Sequence, residues 1–446
     1  MSGHGLSASF YTLGCRLNQA ETALVRDTFR NDGYELVRFG EKSDVCIINS
    51  CTVTDNADVR CRKLVRQVLR NNPDTYIAVI GCYAQTGAEE LSKIDGIDLI
   101  VGTQDKLNVL NFIDEPVKRA EPRIVMSKMT RAPFTIDIAG ADIPTTRANI
   151  KIQDGCNFMC SFCIIPFARG RARSRALPDI MREAMALADN GFRELILTGV
   201  NIGTYEFEGK TFLDLVQSLT EIPGIERVRI TSIEPTTIPV ELLDFMAESD
   251  VLCSHLHIPL QSGSDKVLRD MKRLYNRREF IEFIELAAER VPDILIGTDI
   301  IVGFPTESEQ DFLDSCDVLE NSPLTYAHVF TYSERTGTAA QKFAERVPPQ
   351  VKKERSRILH RISEQQKTAW YQRYVGRTVR VLTEDVNREG LRTGFSDNYI
   401  RVALRDAEQL SSNELVHVRI TGVQGEYALA DVVSSAAHQR ESSITS

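Results

Sequence analysis

DGCNFMCSFCIIP, residues Asp154 to Pro166, sets Cys156, Cys160 and Cys163 in a C-x3-C-x2-C spacing. It directly follows NIKIQD, a stretch with the alternation and β-branched content of a strand. Three thiols in one short loop suit neither a disulfide framework, which needs an even number, nor a closed structural zinc site, which takes four donors. Iron–sulfur clusters are held by cysteine thiolates. Three thiolates on a four-iron cluster leave one iron open to a small chelating molecule, such as the amino and carboxylate groups of S-adenosylmethionine. A zinc site with a remote fourth ligand, or three unrelated cysteines, is the alternative. The position of the loop favours the cluster and sets the fold: it lies at the C-terminal end of a strand, where barrel enzymes build their active sites.

Working outward, the stretch from Ile150 to about Arg373 repeats the strand–helix unit six times. Its strands are NIKIQD, ELILTGV, RVRITSIEP, SHLHIPL, ILIGTDIIVG and AHVFTYS, with amphipathic helices such as LPDIMREAMALADNG and REFIEFIELAAERV between them. Six repeats predict a full or partial β/α barrel, closed by the long basic helix in VPPQVKKERSRILHRISEQQKTAWYQRYVG. Upstream, from Ser9 to about Asn111, SFYTLG, DVCIINS, TYIAVIG and DLIVGT alternate with helical stretches, which indicates a parallel α/β sheet. Periodicity is lost from Lys118 to Asn149, a connection with room for a short strand. Downstream, Val375 to Val433 reads as short alternating strands of a small antiparallel, OB-like barrel, and SSAAHQRESSITS as a disordered tail. The class is α/β, with domains at 6–118, 142–373 and 374–437.

The 446 residues carry a net charge of -9, with 42% hydrophobic and 26% charged residues, an ordinary globular balance that argues against nucleic-acid binding by bulk charge. No apolar run has membrane-spanning length and the N-terminus has no signal-peptide pattern, so a cytoplasmic protein is expected. In that compartment ten cysteines point to metal or redox chemistry. Cys46, Cys61, Cys253 and Cys316 fall within elements and read as structural thiols. Cys15, Cys51 and Cys82 each end a strand beside Gly or Ser. In a parallel sheet those ends share one edge, so three distant cysteines can converge there.

Cys156, Cys160 and Cys163, with Phe162 before the last, match the radical S-adenosylmethionine signature. TLGCRLNQAE, INSCTVT and GCYAQ resemble the N-terminal domain of methylthiotransferases, and the likeness continues through LTGVNIG, RITSIEP, HIPLQSGSD and IIVGFPTES to a final barrel resembling a TRAM domain. The chain is therefore identified as similar to the radical S-adenosylmethionine methylthiotransferase family, and LGCRLNQAE most resembles its MtaB type. The resemblance implies two 4Fe-4S clusters, one on Cys156, Cys160 and Cys163 and an auxiliary one on Cys15, Cys51 and Cys82, both catalytic. It implies S-adenosylmethionine as cofactor and radical insertion of a methylthio group at C2 of N6-threonylcarbamoyladenosine in tRNA, next to the anticodon. Isopentenyladenosine in tRNA or a ribosomal protein are the alternative substrates, and a zinc-holding, non-catalytic RNA-binding protein the alternative class. An electron donor such as a flavodoxin or ferredoxin is implied, with the sulfur donor unnamed, no membrane, and a chain able to act as a monomer.

Further candidates follow. Thr198 and Asn201 of LTGVNIG are expected to seat the methionine amino group, or to be an ordinary turn. Ser232 and Glu234 of RITSIEP are expected near the ribose hydroxyls, which a carboxylate can accept from in pairs. His257 and Gln261 point to the same mouth, with a satisfied core histidine as the alternative for His257. Asp299 is a turn residue or a supporting group. Arg169, Arg171, Arg173 and Arg175 follow the cluster loop, and their position favours binding a carboxylate or RNA phosphates over a solvated face. The last barrel has seven Arg, no Lys and nine Asp plus Glu between 375 and 433, so no basic RNA-binding face is evident. Its Phe395 and Tyr399 are candidates for base stacking or core.

Overall fold

The computed structural model describes residues 5–52, 55–136, 146–387, 389–405, 407 and 409–435. The middle of the connection and the tail from 436 onward, read above as disordered, lie outside the described residues.

The first region is a six-stranded parallel sheet. Its strands are β1 (Ser7–Thr12), β2 (Glu35–Leu36), β3 (Val45–Ser50), β4 (Tyr76–Gly81), β5 (Leu99–Val101) and β6 (Arg123–Val125), in the order β2-β1-β3-β4-β5-β6. Every residue of VCIINS and YIAVIG is buried, because both faces of these central strands are covered. The sixth strand comes from the connection, where the sequence left room for one. Three helices matter for the site: α1 (Arg16–Asn31), α2 (Asp55–Asn71) and α3 (Cys82–Thr86).

The middle region is an open β/α barrel. Its six main strands are β7 (Ala148–Lys151), β8 (Glu194–Thr198), β9 (Arg227–Ile230), β10 (His255–His257), β11 (Leu295–Val302) and β12 (Leu324–Thr331). They form two parallel three-stranded sheets joined by the bridges Val228 to Leu252 and Ser232 to His257. Ile150, Leu195, Val228, Leu256 and Ile296 pack outward against the helices in one continuous core. The alternate residues Glu194, Arg229, Thr198, His255 and His257 are polar, so the inner face is a chemical surface as well as a packed one. The long helix α4 (Pro349–Gln372) forms where it was expected and buries Leu359 and Ile362 in that core.

The last region is a closed five-stranded barrel of β13 (Thr378–Val386), β14 (Arg392–Ser396), β15 (Arg401–Leu404), β16 (Leu415–Gln424) and β17 (Tyr427–Ser435). The expectation of antiparallel pairing needs one amendment, since β15 and β17 pair in parallel to close the barrel. The loop after β14 is bound to the starts of the middle strands. Arg227 donates to the carbonyls of Phe395 and Ser396 at 2.8 and 2.6 Å, and Arg229 to those of Asp397 and Ser396 at 3.0 and 3.1 Å. Glu194 holds both guanidinium groups from the other side.

Candidate active site

The loop after β7 holds the first three cysteines. Gly155 precedes it with φ +73°, and a Cβ there would lie 2.1 Å from the Arg171 carbonyl oxygen, so only glycine fits. Ser161 pins the loop by donating to the Met271 and Asp270 carbonyls at 2.9 and 2.6 Å. The Cys163 amide donates to the Cys160 carbonyl at 3.0 Å, and the Phe158 amide to Cys156 Sγ at 3.4 Å. All three thiols are free and partly buried. Burial pushes Cys156 up to about 11 and Cys163 up to about 12, so these ligands must shed protons to bind a metal. Cys160 also rises with burial, while Arg273, whose Nη1 lies 3.3 Å from its sulfur, pulls it back.

The second three cysteines also converge. β1, β3 and β4 are adjacent, and Cys15 caps α1, Cys51 follows β3 and Cys82 opens α3. Gly14 has φ +97°, and a Cβ there would fall 2.7 Å from Cys51 Sγ. Cys15 is exposed by area because it faces a cavity, yet the chain crowds it closely enough that burial raises its thiol, an effect Arg169 offsets in part. The nearby charge of Cys82 adds to the rise.

Among the described residues, the one set of three His, Cys or carboxylate ligand atoms within 4.8 Å of one another is His257, Asp299 and His328. Neither cysteine triad is drawn in that tightly. Thiolates on a single tetrahedral zinc would sit about 3.8 Å apart, given a Zn–S bond near 2.3 Å. An all-thiol donor set is the one that iron–sulfur clusters use.

A buried ionic network runs from Cys82 to Asp154, two residues before Cys156. Arg169 donates Nε to Cys82 Sγ at 3.2 Å, Nη1 to Glu21 and Asp154 at 3.0 and 2.9 Å, and Nη2 to Asn18 at 2.5 Å. Lys106 reaches Glu21 at 2.6 Å, and Lys151 reaches Glu21 and Asp154 at 2.8 and 2.7 Å. Burial raises the Glu21 carboxyl, but Arg169, Lys106 and Lys151 together hold it well below the usual range. Three cations thus surround two carboxylates, and the Arg169 guanidinium lies against the Cys82 sulfur.

A cavity of about 670 Å³ opens beside Cys15 and Cys51, and none of Cys156, Cys160 and Cys163 lines it. Cys15, Arg16 and Cys51 form one wall, and Thr198, Ser232 and His257 the other, with Tyr399 of the last barrel exposed to the same space. A hollow of about 1010 Å³ near Arg66 is larger, but none of the six cysteines lines it. His257 is paired on both nitrogens, with Asp299 at 2.9 Å and Tyr326 at 3.1 Å, so it is a satisfied histidine that also lines the cavity. Burial raises Asp299, while His257 and His328 bring it well below the usual range. A Cβ at Gly297 would overlap the Tyr326 ring, so that glycine makes room for the ring.

The other candidates divide. Asn201 is buried with an unpartnered Nδ2 among the described residues, its Oδ1 accepts from Thr237 at 3.2 Å, and it is not among the cavity-lining residues. Gln153 Oε1 accepts from the amides of Val200 and Asn201 at 2.9 and 3.0 Å, tying this turn to the cluster loop. Glu234 is engaged by Arg273 rather than left open for hydroxyls, and burial raises its carboxyl. Gln261 has φ +69°, with backbone bonds to Asp299 and Ile301, and it is not among the cavity-lining residues. Phe162 packs against the apolar group of Val267, Met271 and Phe304. The arginine run departs most from expectation. Arg169 is internal, Arg173 donates to Gln104 and Thr130 at 2.9 and 3.1 Å, and Arg175 pairs with Asp179 and Glu183. Arg171 alone is exposed. Gln153 and Arg273 carry no sequence signal, since their partners are remote in the chain.

Family models match in the same order. The radical SAM superfamily model covers residues 150–319, an uncharacterized protein family, UPF0004, covers 7–102, and a TRAM domain covers 372–433. The chain is 36% identical over 425 residues to threonylcarbamoyladenosine tRNA methylthiotransferase MtaB of Bacillus subtilis, covering 93% of each. It is 37% identical to the protein of that name from Aquifex aeolicus, covering 89% of this chain and 96% of that one. The chain belongs to the radical S-adenosylmethionine methylthiotransferase family, MtaB type. A tRNA-2-methylthio-N(6)-dimethylallyladenosine synthase of Acetivibrio thermocellus is 33% identical, covering 93% of this chain and 88% of that one. Among solved structures, the radical S-adenosylmethionine methyltransferase TsrM of Kitasatospora setae shares the fold of this methylthiotransferase, with TM-score 0.54 at 13% identity over 73% of each chain. Membership in the family brings S-adenosylmethionine and a 4Fe-4S cluster as cofactors. No helix among the described residues is long and apolar enough to cross a membrane.

Proposed function

We propose that this methylthiotransferase adds a methylthio group to C2 of N6-threonylcarbamoyladenosine in tRNA, using two three-cysteine clusters, with the cavity beside Cys15 and Cys51 as the substrate site. The observation that carries the reading is the cavity itself. Cys15 and Cys51 form one wall, and the strand ends that follow the radical signature form the other. Its volume, about 670 Å³, is in the range of pockets that enclose a ligand of nucleoside size.

When bound, the cluster at Cys156, Cys160 and Cys163 supplies the electron that cleaves S-adenosylmethionine, and the one at Cys15, Cys51 and Cys82 holds the sulfur to be inserted. The chain's own residues bind and position. Ser232 is free to meet S-adenosylmethionine. Arg273 steadies Cys160 while Glu234 steadies Arg273. Arg169 places a buried cation beside Cys82. The electron donor is proposed to be a flavodoxin or ferredoxin, and the division of labour among domains at 6–118, 142–373 and 374–437 is part of the same proposal.

The test is mass analysis of nucleosides from an anticodon stem-loop incubated anaerobically with reconstituted enzyme, S-adenosylmethionine and reductant. Methylthiolation of N6-threonylcarbamoyladenosine, and none of isopentenyladenosine, is the expected result. The opposite pattern would assign the chain the substrate named for the Acetivibrio relative.

A further inference from the structure

Three arginines line the cavity, and they are not equivalent. Arg229 is spent: its Nε is on Glu194 at 2.7 Å and its Nη atoms are on carbonyls of the last barrel. Arg60 is exposed at the rim, with a single 3.5 Å contact to the Tyr11 hydroxyl. Arg16 is half-buried and has no carboxylate partner among the described residues. Its one side-chain hydrogen bond among them runs from Nη2 to Tyr399 Oη at 2.7 Å, leaving Nε and Nη1 unused.

Tyr399 is a rigid anchor for that bond. It sits at φ +66°, an uncommon backbone conformation for a bulky residue that the surrounding packing must enforce. Its ring is stacked between Phe395 and His255, with centroids 4.7 and 4.3 Å away, and the Arg229 guanidinium lies 5.1 Å from it. The last barrel thus reaches into the cavity and fixes an arginine of the first region.

We propose that Arg16 reads the carboxylate of the threonylcarbamoyl group, with Tyr399 as the positioning residue that aims it. This rests on the substrate reading above and deepens it. The N6 substituent is the one part of this nucleoside that carries a carboxylate, and an unpaired guanidinium fork matches a carboxylate in shape and charge. The placement also fits the chemistry. On adenine, N1 alone separates C6, which bears N6, from C2, where the sulfur goes. A group that holds the N6 substituent must therefore lie beside the group that delivers sulfur. Arg16 follows Cys15 directly, so the two Cα atoms are about 3.8 Å apart.

The experiment measures binding of the anaerobically reconstituted full chain to two stem-loop RNAs by fluorescence anisotropy. One carries N6-threonylcarbamoyladenosine and the other carries its threoninamide analogue, which lacks the charge. Wild type is expected to prefer the carboxylate by about tenfold to a hundredfold. Arg16→Gln is expected to bring that ratio to about one with unchanged iron content, as fits a lost charge-assisted contact. Arg60→Gln is expected to weaken both RNAs alike and keep the ratio, as a phosphate contact does. Tyr399→Phe keeps the stacked ring and removes the hydroxyl; a severalfold smaller ratio is expected, and this variant gives the reading if Arg16→Gln loses iron. A wild-type ratio of one, a full ratio in Arg16→Gln or Tyr399→Phe, or a ratio abolished by Arg60→Gln overturns the proposal. Methylthiolation of the first RNA by wild type separates the cases: if it persists, only the role of Arg16 fails, and if it is absent, the substrate reading fails with it.

Discussion

At the scale of single residues, the six cysteines were legible because thiolate chemistry leaves a local signature: a spacing in one loop, and Gly or Ser beside three strand ends. The arginines after the loop were not. Arg169, Arg173 and Arg175 read as a charged run in the sequence, but Arg169 and Arg173 meet Glu21 and Gln104 from far along the chain and Arg175 meets Asp179 and Glu183 just downstream, so the side chains turn inward. Two variants test this scale. Gly155→Ala must move the Arg171 carbonyl or the cluster loop, and at positive φ it is strained as well. It is expected to lose the iron of the first triad and keep that of the second, read as iron per chain. Arg169→Met removes the guanidinium that bridges Glu21 and Asp154 in a buried site, leaving acceptor oxygens there without their donor. The expected cost is about 3–5 kcal/mol by chemical denaturation, together with weaker iron retention at Cys82.

At the scale of elements, alternation in the sequence located the parallel sheet, the six barrel strands and the long helix, because apolar periodicity reports which face is covered. It could not show that Arg227 and Arg229 on the inner face of β9, held by Glu194 of β8, would meet carbonyls at 395–397, since that seam joins segments about 170 residues apart. Burial raises the Glu194 carboxyl, but Arg227 and Arg229 outweigh it and bring it down to about 2. A carboxyl depressed in the folded state stabilises the fold fully above its unfolded value, near 4.3, and that contribution is lost as pH falls toward 2. Wild type should therefore lose stability more steeply than Glu194→Gln between about pH 4.5 and 2. Urea midpoints across that window would show it, and parallel slopes would contradict the role given to the seam.

At the scale of the whole molecule, the last barrel shows no basic RNA-binding face in its sequence. In the structure it is bound to the starts of the middle strands and supplies Tyr399 to the cavity, so its place is decided by hydrogen bonds and one ring rather than by net charge. The three regions meet around one space lined by Cys15 and Cys51, and a buried ionic network runs from Glu21 of the first region to Asp154, two residues before Cys156. Whether the two cysteine triads are two independent clusters is settled by counting iron and acid-labile sulfide per chain after anaerobic reconstitution. Wild type is compared with the Cys156, Cys160, Cys163 triple alanine variant and with the Cys15, Cys51, Cys82 triple alanine variant. About eight irons in wild type and about four in each variant is the predicted result. An unchanged iron count in either variant would contradict it.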